Sequence, residues 1–104
     1  MTIDPLVFEE AALLIDEHGW WSSHMASHPE NGECVANALW KACHNRGFEN
    51  PQQIHEYQTT LIKHFGLEEL WEVFELNDRQ DEATGKEWAV TALRETAQEV
   101  RDGR

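Results

Sequence analysis

The chain is short of basic residues and has no long apolar run. Eight lysines and arginines stand against 20 aspartates and glutamates, so the formal net charge of the 104 residues is −12. Nucleic acid and anionic membranes are bound through basic surfaces, and the composition therefore excludes both as direct partners. No apolar run approaches the roughly 18 residues of a membrane-spanning helix. Residues 1–5 (MTIDP) also lack the basic start of a signal peptide.

Cysteine is equally scarce. The two cysteines, Cys34 and Cys43, are too few for a disulfide framework. Both fall on one predicted helix, where their spacing corresponds to about 13 Å along the axis, too far for a bridge. A reduced, cytoplasmic environment is therefore expected. No cofactor is expected either.

Helix-ending signals are the most informative feature that the sequence does contain. Three helical runs are each followed by a glycine and a large apolar residue: Gly19-Trp20, Gly47-Phe48 and Gly66-Leu67. Glycine adopts the left-handed conformation at a helix C-terminus without a Cβ penalty, and the next side chain folds back onto the last turn. Asp4-Pro5 and Asn50-Pro51 supply an N-cap and a first-turn proline. No segment alternates like a strand, so the sequence predicts an all-α fold.

The length and the apolar periodicity predict a single helical domain, residues 1–104, built as a compact orthogonal bundle of about five short helices. Residues 22–32 are predicted to form a mobile loop, and residues 102–104 a frayed tail. The predicted helices cover residues 5–18, 33–46, 51–65, 67–76 and a fifth stretch that starts at residue 84.

The last two predicted helices carry more specific expectations. The fifth is expected to begin at a capping box formed by Thr84 and Glu87. A turn at Asn77-Asp78 is expected to separate it from the fourth. The inward face of the fourth helix is predicted to consist of Leu67, Leu70, Trp71 and Phe74.

Cys34 is the candidate residue for metal or thiol chemistry. With His24 and His28 it forms a mixture of thiol and imidazole that zinc accepts, although the spacing matches no zinc-binding motif. In the first turn of the second helix its thiol pKa would be lowered by the helix dipole, whereas the neighbouring Glu33 would raise it. No base or orienting partner can be named. The chain is therefore expected not to be an enzyme, and no catalytic or metal-binding residue is assigned.

Tryptophans and acidic residues are the candidate contacts for a partner. Five tryptophans are many for this length, and Trp40 lies off the apolar face of its helix. Exposed tryptophans are frequent anchors of protein–protein interfaces. The sequence therefore predicts a small acidic protein-interaction module that contacts its partner through Trp21 and Trp40. Charge steering is expected from Glu68, Glu72 and Glu75, which share one face of the fourth predicted helix.

Two questions stay open at this point. The acidic residues around the fourth helix are also compatible with a DNA-mimicking inhibitor of a DNA-binding protein. The small residues on the inner face of the second helix could pack within one molecule or across a two-fold axis. The oligomeric state therefore remains undetermined by the sequence.

Three of these motifs occur together in one known family. They are Gly19-Trp20, the Cys34 helix with Ala38-Leu39, and Asn77-Asp78 ahead of Thr84 and Glu87. Over roughly residues 8–98 the chain resembles the small actinobacterial and actinophage proteins of domain of unknown function 6197. That family has no assigned activity, so the resemblance supplies no catalytic residue. It implies a bacterial cytoplasm and, for a phage copy, a protein that binds and modulates a host protein.

Overall fold

The computed structural model of the chain describes residues 2–25 and 32–103. Within these residues the chain forms five α-helices and no strand, which confirms the all-α prediction. None of the described helices combines the length and the apolarity needed to cross a bilayer. The helices are α1 (Pro5–His18), α2 (Val35–Asn45), α3 (Pro51–His64), α4 (Leu70–Asp78) and α5 (Gly85–Arg101).

The starts of α1 and α3 follow from their capping residues, as predicted. The Asp4 carboxylate accepts a hydrogen bond of 2.9 Å from the backbone N–H of Leu6. The side-chain carbonyl of Asn50 accepts one of 2.9 Å from the N–H of Gln52. Each cap satisfies an amide that the first helical turn leaves without a partner, and the proline that follows the cap has no N–H to satisfy.

The end of α2 shows the predicted glycine motif. Gly47 has a φ of +84°, a conformation that side chains with a Cβ rarely adopt. Its N–H donates to the carbonyl of His44 at 3.0 Å, and the N–H of Phe48 donates to the carbonyl of Cys43 at 2.9 Å. This pair of bonds is a Schellman cap. The equivalent pair ends α3 at Gly66.

α1 ends differently. Gly19 has the positive φ, 103°, that was expected of a glycine at a helix end, but its ψ of 162° is far from the left-handed helical value. The reason is a backbone pairing with the segment before α2. The N–H of Glu33 donates to the carbonyl of Gly19 at 3.1 Å, and the N–H of Trp21 donates to the carbonyl of Glu33 at 3.0 Å. Glu33, just before α2, therefore lies beside Gly19 and Trp21, just after α1.

α1 packs against both α5 and α2. Arg101 contacts Glu9 at 2.7 Å and Lys86 contacts Asp16 at 4.0 Å, so α1 and α5 run antiparallel. Alanines on both helices allow close approach. The buried face of α1 consists of Val7, Phe8, Ala11, Ala12 and Ile15. That of α5 consists of Gly85, Ala89, Val90, Ala92, Leu93, Thr96 and Ala97.

The inward face of α4 differs from the prediction. Val73 and Asn77 are buried, whereas Trp71 is 60% and Phe74 is 39% exposed. The prediction that these two aromatic rings face inward is wrong. The inward positions follow the spacing of Leu70, Val73 and Asn77, which places an amide side chain rather than an aromatic ring on the buried side. Asn77-Asp78 closes the helix instead of forming a turn after it.

The start of α5 also differs from the prediction. Thr84 has φ and ψ of −120° and −6° and makes no side-chain capping bond, so the predicted capping box is absent. An N-cap residue normally has an extended backbone conformation, from which its side chain can reach the free N–H groups of the first turn. Here the N–H groups of Thr84 and Gly85 already donate to the carbonyl of Asp81, at 3.1 and 2.7 Å. That turn holds Thr84 in a helical conformation.

Candidate functional site

A groove of about 530 Å³ lies between α2 and α4. Trp40 lines it from α2 and Phe74 from α4, and they are 47% and 39% exposed. Ala36, which is almost fully buried, forms its floor. Two large rings therefore face a cavity that no described residue fills. The remaining lining residues are Glu33, Asn37, Lys41 and Gln58.

α2 exposes Trp40 on an otherwise polar face. Asn37, Trp40, Lys41 and His44 follow a helical spacing and are all exposed. The centroid of the Trp40 ring lies 4.0 Å from that of the His44 imidazole, so the ring is supported on one side. The opposite face of the helix is buried and consists of Val35, Ala36, Ala38, Leu39, Ala42 and Cys43.

The outer face of α4 adds the most exposed aromatic ring. Trp71, Phe74 and Glu75 lie at successive positions of one helical face, and all three are exposed. Trp71 and Phe74 were not predicted as surface residues, because the aromatic and leucine residues at 67, 70, 71 and 74 were predicted to face inward. The spacing of Leu70, Val73 and Asn77 was the signal that could have identified them.

The three glutamates predicted to share one face differ in their surroundings. Glu68 precedes α4. A carboxylate oxygen of Glu72 accepts hydrogen bonds from the N–H groups of Glu69 and Glu68, at 2.9 and 3.1 Å, and so caps its own helix. Glu75 is exposed and lies 3.8 Å from Arg79. Glu72 and Glu75 are spaced i, i+3 and lie on one side of α4, whereas Glu68 lies before the helix. The acidic face and the DNA-mimic alternative therefore stay predictions.

The polarity of the groove is set by one ion pair and one neighbouring acid. Lys41 is the only cation among the described residues that line the groove, and its ammonium contacts the carboxylate of Glu33. Glu75 lies beside Phe74 on α4. The Glu33–Lys41 pair is neutral as a whole and Glu75 lies 3.8 Å from Arg79, so the excess of negative charge near the rings comes from Glu68 and Glu69 before α4.

Trp21 lies outside this groove. Its ring is partly buried and packs against the hydrophobic core. Its backbone carbonyl accepts a hydrogen bond of 3.0 Å from the amide of Asn77. The pairing of Trp21 with Glu33 draws this segment against the bundle. Trp21 is therefore not among the residues that line the groove with Trp40, and its predicted contact with a partner stays a prediction.

Asn77 holds the two walls of the groove in position. It is 1% exposed, and its side-chain oxygen accepts hydrogen bonds from Trp20 Nε1 at 2.9 Å and from the N–H of Val35 at 3.0 Å. The second bond joins the end of α4 to the start of α2. With the bond to Trp21, three segments meet on one amide side chain. Such a buried and fully paired group favours a single arrangement of the helices around it.

Asp78 anchors the first part of the predicted loop 22–32. Its carboxylate accepts hydrogen bonds from the Ser23 hydroxyl at 2.7 Å, the Ser23 N–H at 3.1 Å and the Ser22 hydroxyl at 3.2 Å. Burial opposes ionisation of Asp78, but these hydrogen bonds outweigh it and keep the pKa of the carboxyl below its usual value. Ser22 is accordingly buried. Residues 26–31 of the predicted loop lie outside the described residues.

The lowered pKa of Asp78 predicts an acid-sensitive contribution to stability. Because the folded pKa is depressed, the contribution is complete above the unfolded pKa of about 4 and is lost as the pH falls through the folded value. Asp78→Asn is expected to cost about 1 kcal/mol at neutral pH. It should also flatten the fall in stability below about pH 4, measured by urea denaturation at several pH values. Glu17→Gln, at the exposed end of α1, is the control; an unchanged pH profile in Asp78→Asn would contradict the assignment.

Cys34 is the N-cap of α2 rather than a first-turn residue, and its sulfur accepts a hydrogen bond from the N–H of Asn37 at 3.4 Å. Burial raises the pKa of the Cys34 thiol, and it raises that of Cys43 to about 11. Both thiols are therefore protonated at neutral pH, which is the opposite of what a nucleophile requires.

The metal hypothesis rested on His24, His28 and Cys34. Among the residues that the structure describes, no group of three histidine, cysteine or acidic side chains could hold a metal ion. His24 is exposed, and His28 lies outside the described residues. The surface around Trp40 and Phe74 therefore supports apolar contact, and acidic residues lie at its border.

Comparison with known proteins identifies one family. No curated protein and no solved structure matches the chain. One family model, described as a family of unknown function, matches residues 2–99. The match extends over every residue that lines the groove and over the Asn77 hydrogen bonds. The chain belongs to the family of unknown function DUF6197.

Proposed function

We propose that this chain is a protein-interaction module that binds a partner protein through Trp40, Trp71 and Phe74, here called the aromatic surface. The observation that carries the proposal is the exposure of three large rings on two adjoining helices, two of them facing one groove. Contiguous exposed apolar surface on a small domain marks interaction sites, and tryptophan is prominent among the residues that dominate binding energy.

The polar border of the aromatic surface supports the same function. Asn37 and Gln58 line the groove beside the rings, and the Glu33–Lys41 ion pair lies at its edge. An apolar centre within a polar rim is the usual anatomy of a protein interface. The charge of −12 favours a partner with a basic surface and accelerates encounter with it. In its most specific form, the proposal is a phage-encoded protein that modulates a bacterial host protein in the cytoplasm.

Alanine variants of the groove test this function. Trp40→Ala and Phe74→Ala are expected to abolish capture of the partner from a bacterial lysate, read by quantitative mass spectrometry. With the purified partner, calorimetry should show each substitution weakening the affinity by about 30-fold or more. The free energy of unfolding should change by less than about 1 kcal/mol, because both rings are already half in water.

Leu13→Ala is the matched control for these variants. Leu13 is 48% exposed, as Trp40 is 47% exposed, but it lies on the outer face of α1 away from the groove. Its replacement should leave capture unchanged. A partner that is retained by the Trp40→Ala, Phe74→Ala double variant, or that is lost equally with Leu13→Ala, would contradict the proposed function.

A further inference from the structure

We infer that the groove between α2 and α4 binds an amphipathic helix of the partner, with one or two large aliphatic side chains flanked by lysine or arginine. The inference rests on the proposed function and specifies the partner that the aromatic surface recognises. It follows from the shape of the groove, from the charges around it and from the absence of a sheet edge in the described part of the chain.

The fold favours a helix over an extended peptide as the occupant. Extended peptides bind by adding a strand to a sheet edge, and the described residues contain only one isolated bridge, between Trp20 and Glu33. Residues of packed helices line the groove instead, mainly from α2, with Gln58 from α3 and Phe74 from α4. A groove between helices can bind the apolar face of an amphipathic helix. A volume of about 530 Å³ lies within the range of pockets that enclose compact apolar groups.

The charges select basic flanks for that helix. Glu68 and Glu69 precede α4 in exposed positions, and Glu75, which lies 3.8 Å from Arg79, is beside Phe74. Glu33 lines the groove but is paired with Lys41, so these two charges offset each other and the excess of acids lies around the start of α4. Lysine or arginine on either side of the aliphatic anchor would meet carboxylates, whereas an acidic helix would meet like charge.

The same charges argue against a second copy of this chain as the occupant. Two copies that met through the aromatic surface would bring their Glu75 side chains and the acids before α4 together. Each copy carries a net charge of −12, so electrostatic repulsion between the copies would add to the cost of desolvating the carboxylates at that face. The occupant is therefore of opposite charge.

Two synthetic helical peptides test the inference. Both carry leucine at i, i+3, i+4 and i+7; one has lysine at the flanking positions and the other has glutamate. We expect the lysine peptide to bind at least about tenfold more tightly by titration calorimetry. In ¹H–¹⁵N spectra it should shift the indole N–H of Trp40 and the amides around Phe74. Peptides without tryptophan keep the indole signals specific to the protein.

Variants connect the binding to the groove and to its charge. Trp40→Ala and Phe74→Ala should each weaken binding of the lysine peptide by about tenfold or more, while Leu13→Ala should not change it. Glu75→Lys should weaken it by about threefold to tenfold at low salt and less at high salt. A structural effect of Glu75→Lys would not disappear with salt.

Several results would overturn the inference. Equal affinity for both peptides, shifts confined to α1, or a dimer that buries Trp40 in sedimentation experiments would each do so. If the lysine peptide fails to bind but partner capture still depends on Trp40 and Phe74, the inference is wrong and the proposed function stands. If capture is also independent of the two rings, the proposed function fails as well.

Discussion

Replacement of Asn77 by alanine is expected to lower the free energy of unfolding by about 3–5 kcal/mol. The substitution leaves Trp20 Nε1, the N–H of Val35 and the carbonyl of Trp21 without their present partner. Each unpaired polar group at a buried site costs about 1–3 kcal/mol. Small domains have a total free energy of unfolding of about 5–15 kcal/mol, so the substitution would remove a large part of it. Urea denaturation and the Tm measure the effect.

Two further variants separate hydrogen bonding from side-chain volume. Asn77→Leu fills the space but pairs none of the three groups, so it should be almost as unstable as Asn77→Ala. Asn45→Ala, at an exposed position at the end of α2, should change stability by no more than about 0.5 kcal/mol. Wild-type stability in Asn77→Leu would show that packing, and not hydrogen bonding, explains the buried amide.

Gly85→Ala is expected to destabilise the protein by about 2–3 kcal/mol, although alanine normally stabilises a helix relative to glycine by up to about 1 kcal/mol. A Cβ at position 85 would lie 2.2 Å from Cζ3 and 2.3 Å from Cη2 of the buried Trp20 ring. The ring cannot move freely, because its Nε1 is hydrogen-bonded to Asn77. The sign of the effect is therefore set by this contact and not by helix propensity. Thermal and urea denaturation of the variant test it.

A double-mutant cycle with Trp20→Leu identifies the cause. Trp20→Leu removes the ring atoms that the added methyl group would meet, at the cost of a cavity. In that background Gly85→Ala should be neutral or slightly stabilising, so the two substitutions should be strongly non-additive. Additive losses in the cycle would mean that the glycine is required for another reason.

The helix ends could be predicted because their signals are local. Asp4 and Asn50 cap helices through amides two residues away, and Gly47 and Gly66 act on carbonyls within the last turn. Such interactions depend on the neighbouring residues alone. The bounds of α1 and α3 consequently agree with the prediction within a residue, and the all-α class follows from them.

The position of α4 could not be predicted in the same way. Its inward face depends on Asn77, a polar residue whose partner Trp20 is 57 residues away in sequence. Hydropathy patterns assign polar residues to the surface and aromatic residues to the core, and both assignments fail here. Trp71 and Phe74 are exposed because α4 is oriented with Val73 and Asn77 buried.

The candidate site was predicted only in part for a related reason. The exposure of Trp40 follows from the periodicity of a single helix. The groove, in contrast, exists only between α2 and α4, and no pattern within one helix indicates which residue of the second helix will line it. The pairing of Trp21 with Glu33 is likewise a contact between two segments, which no pattern within one helix indicates.

The packing of α1 on α5 has a consequence during translation, because α1 is synthesised well before α5. α1 leaves the ribosome first, yet the helix that covers much of its apolar face follows only after residues 19–84. Phe8, Ile15 and their neighbours therefore stay in contact with water, or with a chaperone, until α5 has been translated. A chain interrupted before residue 85 would carry α1 with this face uncovered, and such a fragment is a natural substrate for quality-control proteases.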